Sequence, residues 1–377
     1  MIDSLDRLLR AAIAEGPYLN GAVCLIDPDG WEVPLVHGIL APESEGKADP
    51  LTDPGLRMRM ASISKAVTAR IACELAARGD LDLDTKVSDV LDAGEGGARV
   101  EGITVKHLLN HTSGLTDHAG YIFEPPTSPL EYLVAHANRA VSGHPPGGWF
   151  KYANLNYVLL GSLLEAVTGD RFDHLARDLV LGPAGIQGGF NWAGVSPKRR
   201  DRRLQIYQRF GDRLECQTEP DGADWNADIV WGDGRGISFA DYVPVRDTLL
   251  FSPHAGLRMN VIEAARLGRF LGADTPGGRL QREATWKFNP LAPNGTDCDG
   301  LYGEFGLGVM AYRDTPRIAG PLVGHAGHAL GFTGGVWFNE STGRALAIAL
   351  TGSADLTDGC DDEVFYAAPE LALMKSI

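Results

Sequence analysis

Met58-Arg59-Met60-Ala61-Ser62-Ile63-Ser64-Lys65-Ala66-Val67-Thr68-Ala69-Arg70-Ile71 is the stretch on which the reading of this chain turns. A short apolar run, Leu56 to Met60, reads as a strand. Helical spacing then begins at Ser62 and continues to Arg78, where Gly79 is a stop signal. Ser62 and Lys65 are three apart, so on a helix they share a face and the amine reaches the hydroxyl. Unpaired N–H groups and the positive end of the dipole at a helix start favour negative charge developing on the serine. A second Ser-x-x-Lys, Ser44 to Lys47, lies in a polar linker without helical pattern, where nothing orients the pair. Taken alone, Ser62 reads sooner as a plain N-cap and Lys65 as a solvated side chain than as a catalytic pair. A serine hydroxyl needs a base, and a lysine serves as one only where burial or nearby charge lowers its pKa.

Two further motifs supply partners. Tyr-x-Asn occurs as Tyr18-Leu19-Asn20, a turn before the first strand, and as Tyr152-Ala153-Asn154. The second follows Pro145-Pro146-Gly147-Gly148-Trp149 and precedes a helix, a setting in which a rigid loop points a phenol into a cleft; read alone, Tyr152 is equally a partly buried aromatic. His-Ala-Gly occurs three times. His118-Ala119-Gly120 and His254-Ala255-Gly256 stand in loop-like surroundings, while His325-Ala326-Gly327-His328 is extended and runs into the hairpin that begins at Phe332. Gly327 lets a substrate lie close to the strand, and the N–H of His328 is a candidate donor to an oxyanion. A zinc pair of His325 and His328 is the competing reading; the intervening Glu of the usual motif is missing.

Ser62-x-x-Lys65, Tyr152-x-Asn154 and His325-x-Gly327, in this order and spacing, resemble the serine beta-lactamase-like family of class C beta-lactamases, D-alanyl carboxypeptidases, D-aminopeptidases and related esterases. Ile103-Thr104-Val105-Lys106-His107-Leu108-Leu109-Asn110-His111-Thr112-Ser113-Gly114-Leu115 resembles the family signature between its first two motifs. The resemblance implies an antiparallel sheet flanked by helices, a helical subdomain, and an active site in the cleft between them. It implies Ser62 as nucleophile, Lys65 and Tyr152 as proton carriers, and Asn154 orienting substrate or lysine. The N–H groups of Ser62 and His328 would bind the oxyanion, with Ser64 and His325 polarising Lys65 or Tyr152 and shaping the pocket. The family's beta-lactamases and carboxypeptidases usually carry Lys-Thr-Gly at the third motif; His325-Ala326-Gly327 looks more like the esterase and D-aminopeptidase branches.

The rest of the chain fits an α+β fold. Leu5, Leu8, Leu9, Ala12 and Ile13 mark one face of a first helix, and Gly21–Ile26 with Trp31–Ile39 form a hairpin around Asp27-Pro28-Asp29-Gly30. Strands at Gly306–Tyr312, Phe332–Asn339 and Ala345–Thr351 and a helix at Glu363–Met374 close the chain. Residues 1–79 and 251–377 are therefore expected to share one sheet domain, with 80–190 mostly helical and 191–250 a variable loop region by the cleft.

Composition narrows the function. The 377 residues are 44% hydrophobic and carry a formal charge of −15, which argues against a nucleic-acid partner. The basic run Lys198–Arg203 reads as a solvated face. No apolar stretch has the roughly 20 residues a membrane span needs, and the N-terminus lacks leader character, so the expectation is cytoplasmic, or periplasmic if a leader was removed. Five cysteines without tight spacing make neither a disulfide framework nor a zinc knuckle; a Cys298–Cys360 pair is left open. No metal or organic cofactor is implied. A carboxylesterase for small or medium acyl esters leads. The alternatives are a D-amino-acid amidase or DD-peptidase-like enzyme, with Glu219, Asp221, Asp224, Asp228 or Asp233 facing a substrate ammonium, and a non-catalytic ligand sensor. Weak beta-lactamase activity fits either enzyme.

Overall fold

The computed structural model describes residues 1–42, 49–92, 100–123, 127–219, 222–296, 298, 301–313, 318, 320–354 and 368–377. An eight-stranded antiparallel sheet runs, edge to edge, Trp286–Lys287, Glu304–Phe305, Met310–Tyr312, Leu322–Ala329, Phe332–Asn339, Ala345–Thr351, Asn20–Ile26 and Glu32–Gly38. Cys24 stands opposite Ala347, so the first hairpin is sewn onto the last and the two ends of the chain share one sheet, as expected.

Alternation along the central strands decides what covers each face. Ala345, Ala347 and Ala349, with Ala22 and Cys24, pack with helices Ser64–Arg78 and Val261–Leu271. Leu346, Ile348 and Leu350, with Val23 and Leu25, pack with helices Ile2–Glu15 and Ala368–Met374. The alanine face lets a helix approach closely: a Cβ on Gly268 would stand 3.1 Å from the Trp337 carbonyl. Each large apolar side chain buried on the other face contributes about 1.5–3 kcal/mol.

Helix Asn154–Thr168 is buried on nearly every side, through Leu155, Leu159, Leu160, Leu163 and Leu164. It also carries Glu165, whose carboxylate accepts from Phe172 N (2.7 Å), Tyr242 Oη (2.6 Å), Val245 N (2.6 Å) and Thr248 Oγ1 (2.5 Å). Four donors satisfy a buried charge and tie the 242–248 segment to the helix. Arg200 does similar work nearby, donating to the carbonyls of Trp192, Val195, Trp225, Ala227 and Asp228. The basic run around it is thus not simply a solvated face, because Arg200 is buried and gathers the 191–228 loops.

Two expectations need adjustment. The regular helix starts at Ser64, preceded by a 3-10 turn at Ala61–Ile63. The strand expected at Gly306–Tyr312 shortens to Met310–Tyr312, and a separate two-residue strand, Glu304–Phe305, precedes it. Gly308, at φ +70°, turns inward there, where its N–H donates to Leu109 O at 3.0 Å and a Cβ would meet Ala69 and Tyr157 Oη. The closing helix is described as Ala368–Met374, residues 363–367 lying outside the described residues, as does Lys47 with Ser44. Cys298 is disulfide-bonded, while Cys24, Cys73 and Cys216 are free thiols; Cys360 lies outside the described residues. Among the described residues no helix is long and apolar enough to cross a membrane.

Candidate active site

From Arg57 to Cys73 every residue is buried except Ser62, which is partly exposed. The chain reaches it through Ala61, held at φ +46°, so the serine stands on a sharp turn at the head of the helix. Ser64 fixes that turn: its hydroxyl donates to Ala61 O at 2.6 Å and accepts from Leu257 N at 3.0 Å. Those bonds tie Ser64 to the backbone on both sides of the turn.

Lys65 is fully buried and its Nζ lies 2.9 Å from Ser62 Oγ, 2.7 Å from Asn154 Oδ1 and 3.1 Å from His254 O. Burial lowers its pKa to about 7, against a smaller opposing pull from the Asp117 carboxylate. Burial pushes the Tyr152 phenol well above its ordinary value, and the neighbouring Ser62 hydroxyl pulls it the other way by less. The Lys65 amine lies 5.0 Å from the centre of the Tyr152 ring. The Ser62–Lys65 and Tyr152–Asn154 motifs, far apart in sequence, thus share one cluster.

The loop carrying Tyr152 is held by the Ile103–Leu115 segment. His111 O accepts from Lys151 N at 2.9 Å, and His111 Nδ1 accepts from Ala153 N at 3.2 Å and contacts Asn156 Nδ2 at 3.0 Å. The His111 ring lies against Tyr152 at 4.3 Å, and Tyr302 stacks on Tyr152 at 5.4 Å. Burial, then the charge of Lys65, keeps His111 neutral, as its role as acceptor requires.

The third motif lies on strand Leu322–Ala329. A Cβ on Gly327 would come within 2.6 Å of Met60 O, so this glycine lets the strand run against the Ser62 turn. The hairpin closes through Leu330–Gly331 with Ala329 opposite Phe332, which makes His328 and Thr333 a pair that exchanges no hydrogen bonds. The N–H of His328 therefore points away from strand Phe332–Asn339. His325 and His328 sit on opposite faces: His325 is buried 6.2 Å from the Tyr152 ring, while His328 Nε2 contacts Glu370 Oε2 at 3.2 Å. That separation removes the zinc reading of the pair. Burial, with help from Lys65, holds His325 at a pKa of about 3, and its Nδ1 is directed at Ala326 O, 2.6 Å away.

Two contributors escaped the sequence reading. Asp117 accepts from Asn154 N, Asn154 Nδ2 and Leu155 N at 2.8, 2.9 and 3.0 Å, capping the helix and orienting the amide. His254, in one of the two His-Ala-Gly strings set aside, supplies a carbonyl to Lys65. Neither sits in a motif whose local spacing signals the contact. The acidic loop is otherwise engaged: Glu219 pairs with Arg258 at 2.9 Å, Asp228 accepts from Phe239 N at 2.8 Å, and Asp233 pairs with Arg235 at 2.6 Å. Asp224 accepts from Asn226 N at 3.2 Å, and Asp221 lies outside the described residues.

Solved structures share this architecture. D-amino acid amidase from Ochrobactrum anthropi SV3, complexed with L-phenylalanine, superposes with a TM-score of 0.70 at 18% identity, covering 99% of this chain and 95% of its own. EstCE1, a hydrolase with promiscuous acyltransferase activity, gives 0.70 at 19% identity over 99% and 98%. The octameric penicillin-binding protein homologue from Pyrococcus abyssi gives 0.66 at 21% over 93% and 73%. At these identities the likeness establishes the fold. Penicillin-binding protein 4* of Bacillus subtilis (strain 168) is 29% identical over 235 residues, 60% of this chain and 50% of its own length. Penicillin-binding protein 4 of Amycolatopsis lactamdurans is 28% identical over 171 residues, 45% and 44%. The chain thus spans about half the length of these curated relatives or less. The family model described as Beta-lactamase matches residues 5–368, and with nearly the whole chain so covered this protein belongs to the Beta-lactamase family.

Proposed function

We propose that this protein is a carboxylesterase for small or medium acyl esters that works through an acyl-enzyme on Ser62. The observation that carries the reading is the buried Lys65 amine, 2.9 Å from Ser62 Oγ with a pKa brought down to about 7. A neutral amine has two N–H bonds and one lone pair. Asn154 Oδ1 and His254 O take the two N–H bonds, so the lone pair is left to receive the Ser62 proton. Tyr152 stays a phenol far above neutral pH, which suits it to donate a proton to the leaving alkoxide.

In this scheme Ser62 Oγ bonds to the acyl carbon while its proton passes to Lys65. The negative charge that forms on the carbonyl oxygen meets the N–H groups of Ser62 and His328. The alkoxide then leaves with a proton from Tyr152, and the Lys65 ammonium passes the Ser62 proton on to that phenolate, so both groups are reset. Water attacks the acyl carbon as it gives a proton to the neutral Lys65, and the C–Oγ bond breaks as the Lys65 ammonium returns that proton to Oγ.

The amidase alternative leaned on a free carboxylate near the cleft for a substrate ammonium. Glu219, Asp228 and Asp233 are committed to Arg258, Phe239 N and Arg235, which favours esters. The test is side-by-side assay of p-nitrophenyl butyrate, D-alanine p-nitroanilide and a chromogenic cephalosporin, with intact-mass analysis after a fluorophosphonate probe. Ester turnover is expected to dominate, with one adduct that Ser62→Ala abolishes and turnover that Tyr152→Phe lowers by orders of magnitude. Turnover of the anilide alone rejects the ester reading. A wild type that takes no adduct is the ligand sensor.

A further inference from the structure

We propose that His254 is a specificity residue, presenting a ring N–H to a hydrogen-bond-accepting oxygen of the substrate close to the scissile ester. The inference rests on the Ser62 reading and names the substrate class of that same site: oxo-, ether- or amide-bearing esters in preference to plain alkyl ones. His254 enters the site through its backbone, whose carbonyl takes a Lys65 N–H at 3.1 Å, while Thr68 Oγ1 holds the preceding carbonyl of Pro253 at 2.7 Å. The ring is thereby fixed beside the amine that serves Ser62. On its other side Tyr121 meets it edge-on, with ring centres 5.2 Å apart at 79°, and Tyr121 is close enough to Tyr152 to act on its phenol electrostatically. His254 and Tyr121 together therefore wall the space next to Ser62, Lys65 and Tyr152.

The two ring nitrogens of His254 differ. Nδ1 is sealed from solvent and has no hydrogen-bond partner, whereas the slight exposure the residue keeps includes Nε2. Burial and the Lys65 charge keep the imidazole neutral, so one nitrogen bears a proton and the other a lone pair. A buried N–H without a partner is rarer in folded proteins than an unsatisfied acceptor. The proton is therefore assigned to Nε2, and the open nitrogen is a donor. A neutral donor in a half-dry site binds an oxygen acceptor and contributes nothing to a methylene in the same place.

Two isosteric pairs test this. On the acyl side, p-nitrophenyl levulinate (4-oxopentanoate) is compared with p-nitrophenyl pentanoate; on the alcohol side, 2-methoxyethyl butyrate with butyl butyrate. In each pair the kcat/KM ratio of oxygen-bearing to plain ester is measured in wild type, His254→Ala and His254→Gln, so that intrinsic reactivity cancels. The ratio for at least one pair is expected to fall about tenfold in His254→Ala and to recover in part in His254→Gln, whose amide keeps a donor. Ratios unchanged in both pairs, with ester turnover through Ser62 intact, overturn the assignment of His254 alone. A wild type that hydrolyses none of the four esters removes the esterase reading, and this inference with it.

Discussion

Asp117 takes both N–H groups that Asn154 offers it, from the side-chain amide at 2.9 Å and the backbone at 2.8 Å. With its nitrogen committed, Asn154 turns its oxygen to Lys65 at 2.7 Å. The carboxylate also pulls the Lys65 pKa upward, so it acts on the site through both geometry and charge. Asp117→Ala should lower kcat/KM about tenfold or more, since a mis-set amide no longer holds the amine toward Ser62. Loss of the negative charge should also move the acidic limb of the pH profile to lower pH, because the ammonium is then less favoured. A profile displaced upward, or not at all, would count against Asp117 as the group that sets Lys65.

Lys65 predicts the shape of that profile in the wild type. With a pKa near 7, kcat/KM for p-nitrophenyl butyrate should rise tenfold per pH unit up to about 6 and level off above about 8. Tyr152 titrates far above this window, so no falling limb should follow below pH 9. Lys65→Arg, which cannot lose its proton, should be inactive at every pH in the range. Activity that is flat from pH 5 to 8 would mean that another group takes the serine proton.

Much of the site was legible because its members lie in short motifs with local meaning. Ser62 and Lys65 are one turn apart, and Tyr152 and Asn154 flank a helix start, so spacing alone signals contact. The shared sheet was legible because Ala345–Thr351 alternates small and large apolar residues, a period that only a two-faced strand explains. Asp117 and His254 were not legible, since an aspartate in a loop and a backbone carbonyl acquire meaning only once the chain is folded. The backbone partners of Ser64 were hidden for the same reason: Ala61 O and Leu257 N lie on turns and strands whose meeting no motif announces. The break at Gly308 was hidden because a glycine inside an apolar run is also common in a continuous strand.

Gly327 tests the strand edge. A methyl group there meets the Met60 carbonyl, a backbone atom with no rotamer to yield, so Gly327→Ala must push the strand off the Ser62 turn. The N–H of His328 moves with it. The expected result is a fall of at least a hundredfold in kcat with only a small change in Tm, since oxyanion donors act in the transition state. A full-rate Gly327→Ala enzyme would place the oxyanion donors elsewhere.

Lys65 also predicts a conflict between stability and function. Its folded-state pKa of about 7 lies below the unfolded value of about 10.4, so the unfolded chain holds the proton more tightly and stability rises with pH between the two. At pH 7 and below, keeping this ammonium buried costs on the order of 5 kcal/mol by that linkage. Lys65→Met removes the cost but leaves Asn154 Oδ1 and His254 O without their donor, at about 1.5 kcal/mol each. The net expectation is an inactive variant that is about 2 kcal/mol more stable than wild type at pH 6.5, in line with the known trade between stable and reactive sites. At pH 10 the wild type folds with a neutral lysine at little cost, so the advantage should vanish or reverse. Denaturant unfolding of both proteins at the two pH values measures this directly. A variant less stable than wild type at pH 6.5 would mean that the three hydrogen bonds of Lys65 outweigh the burial of its charge.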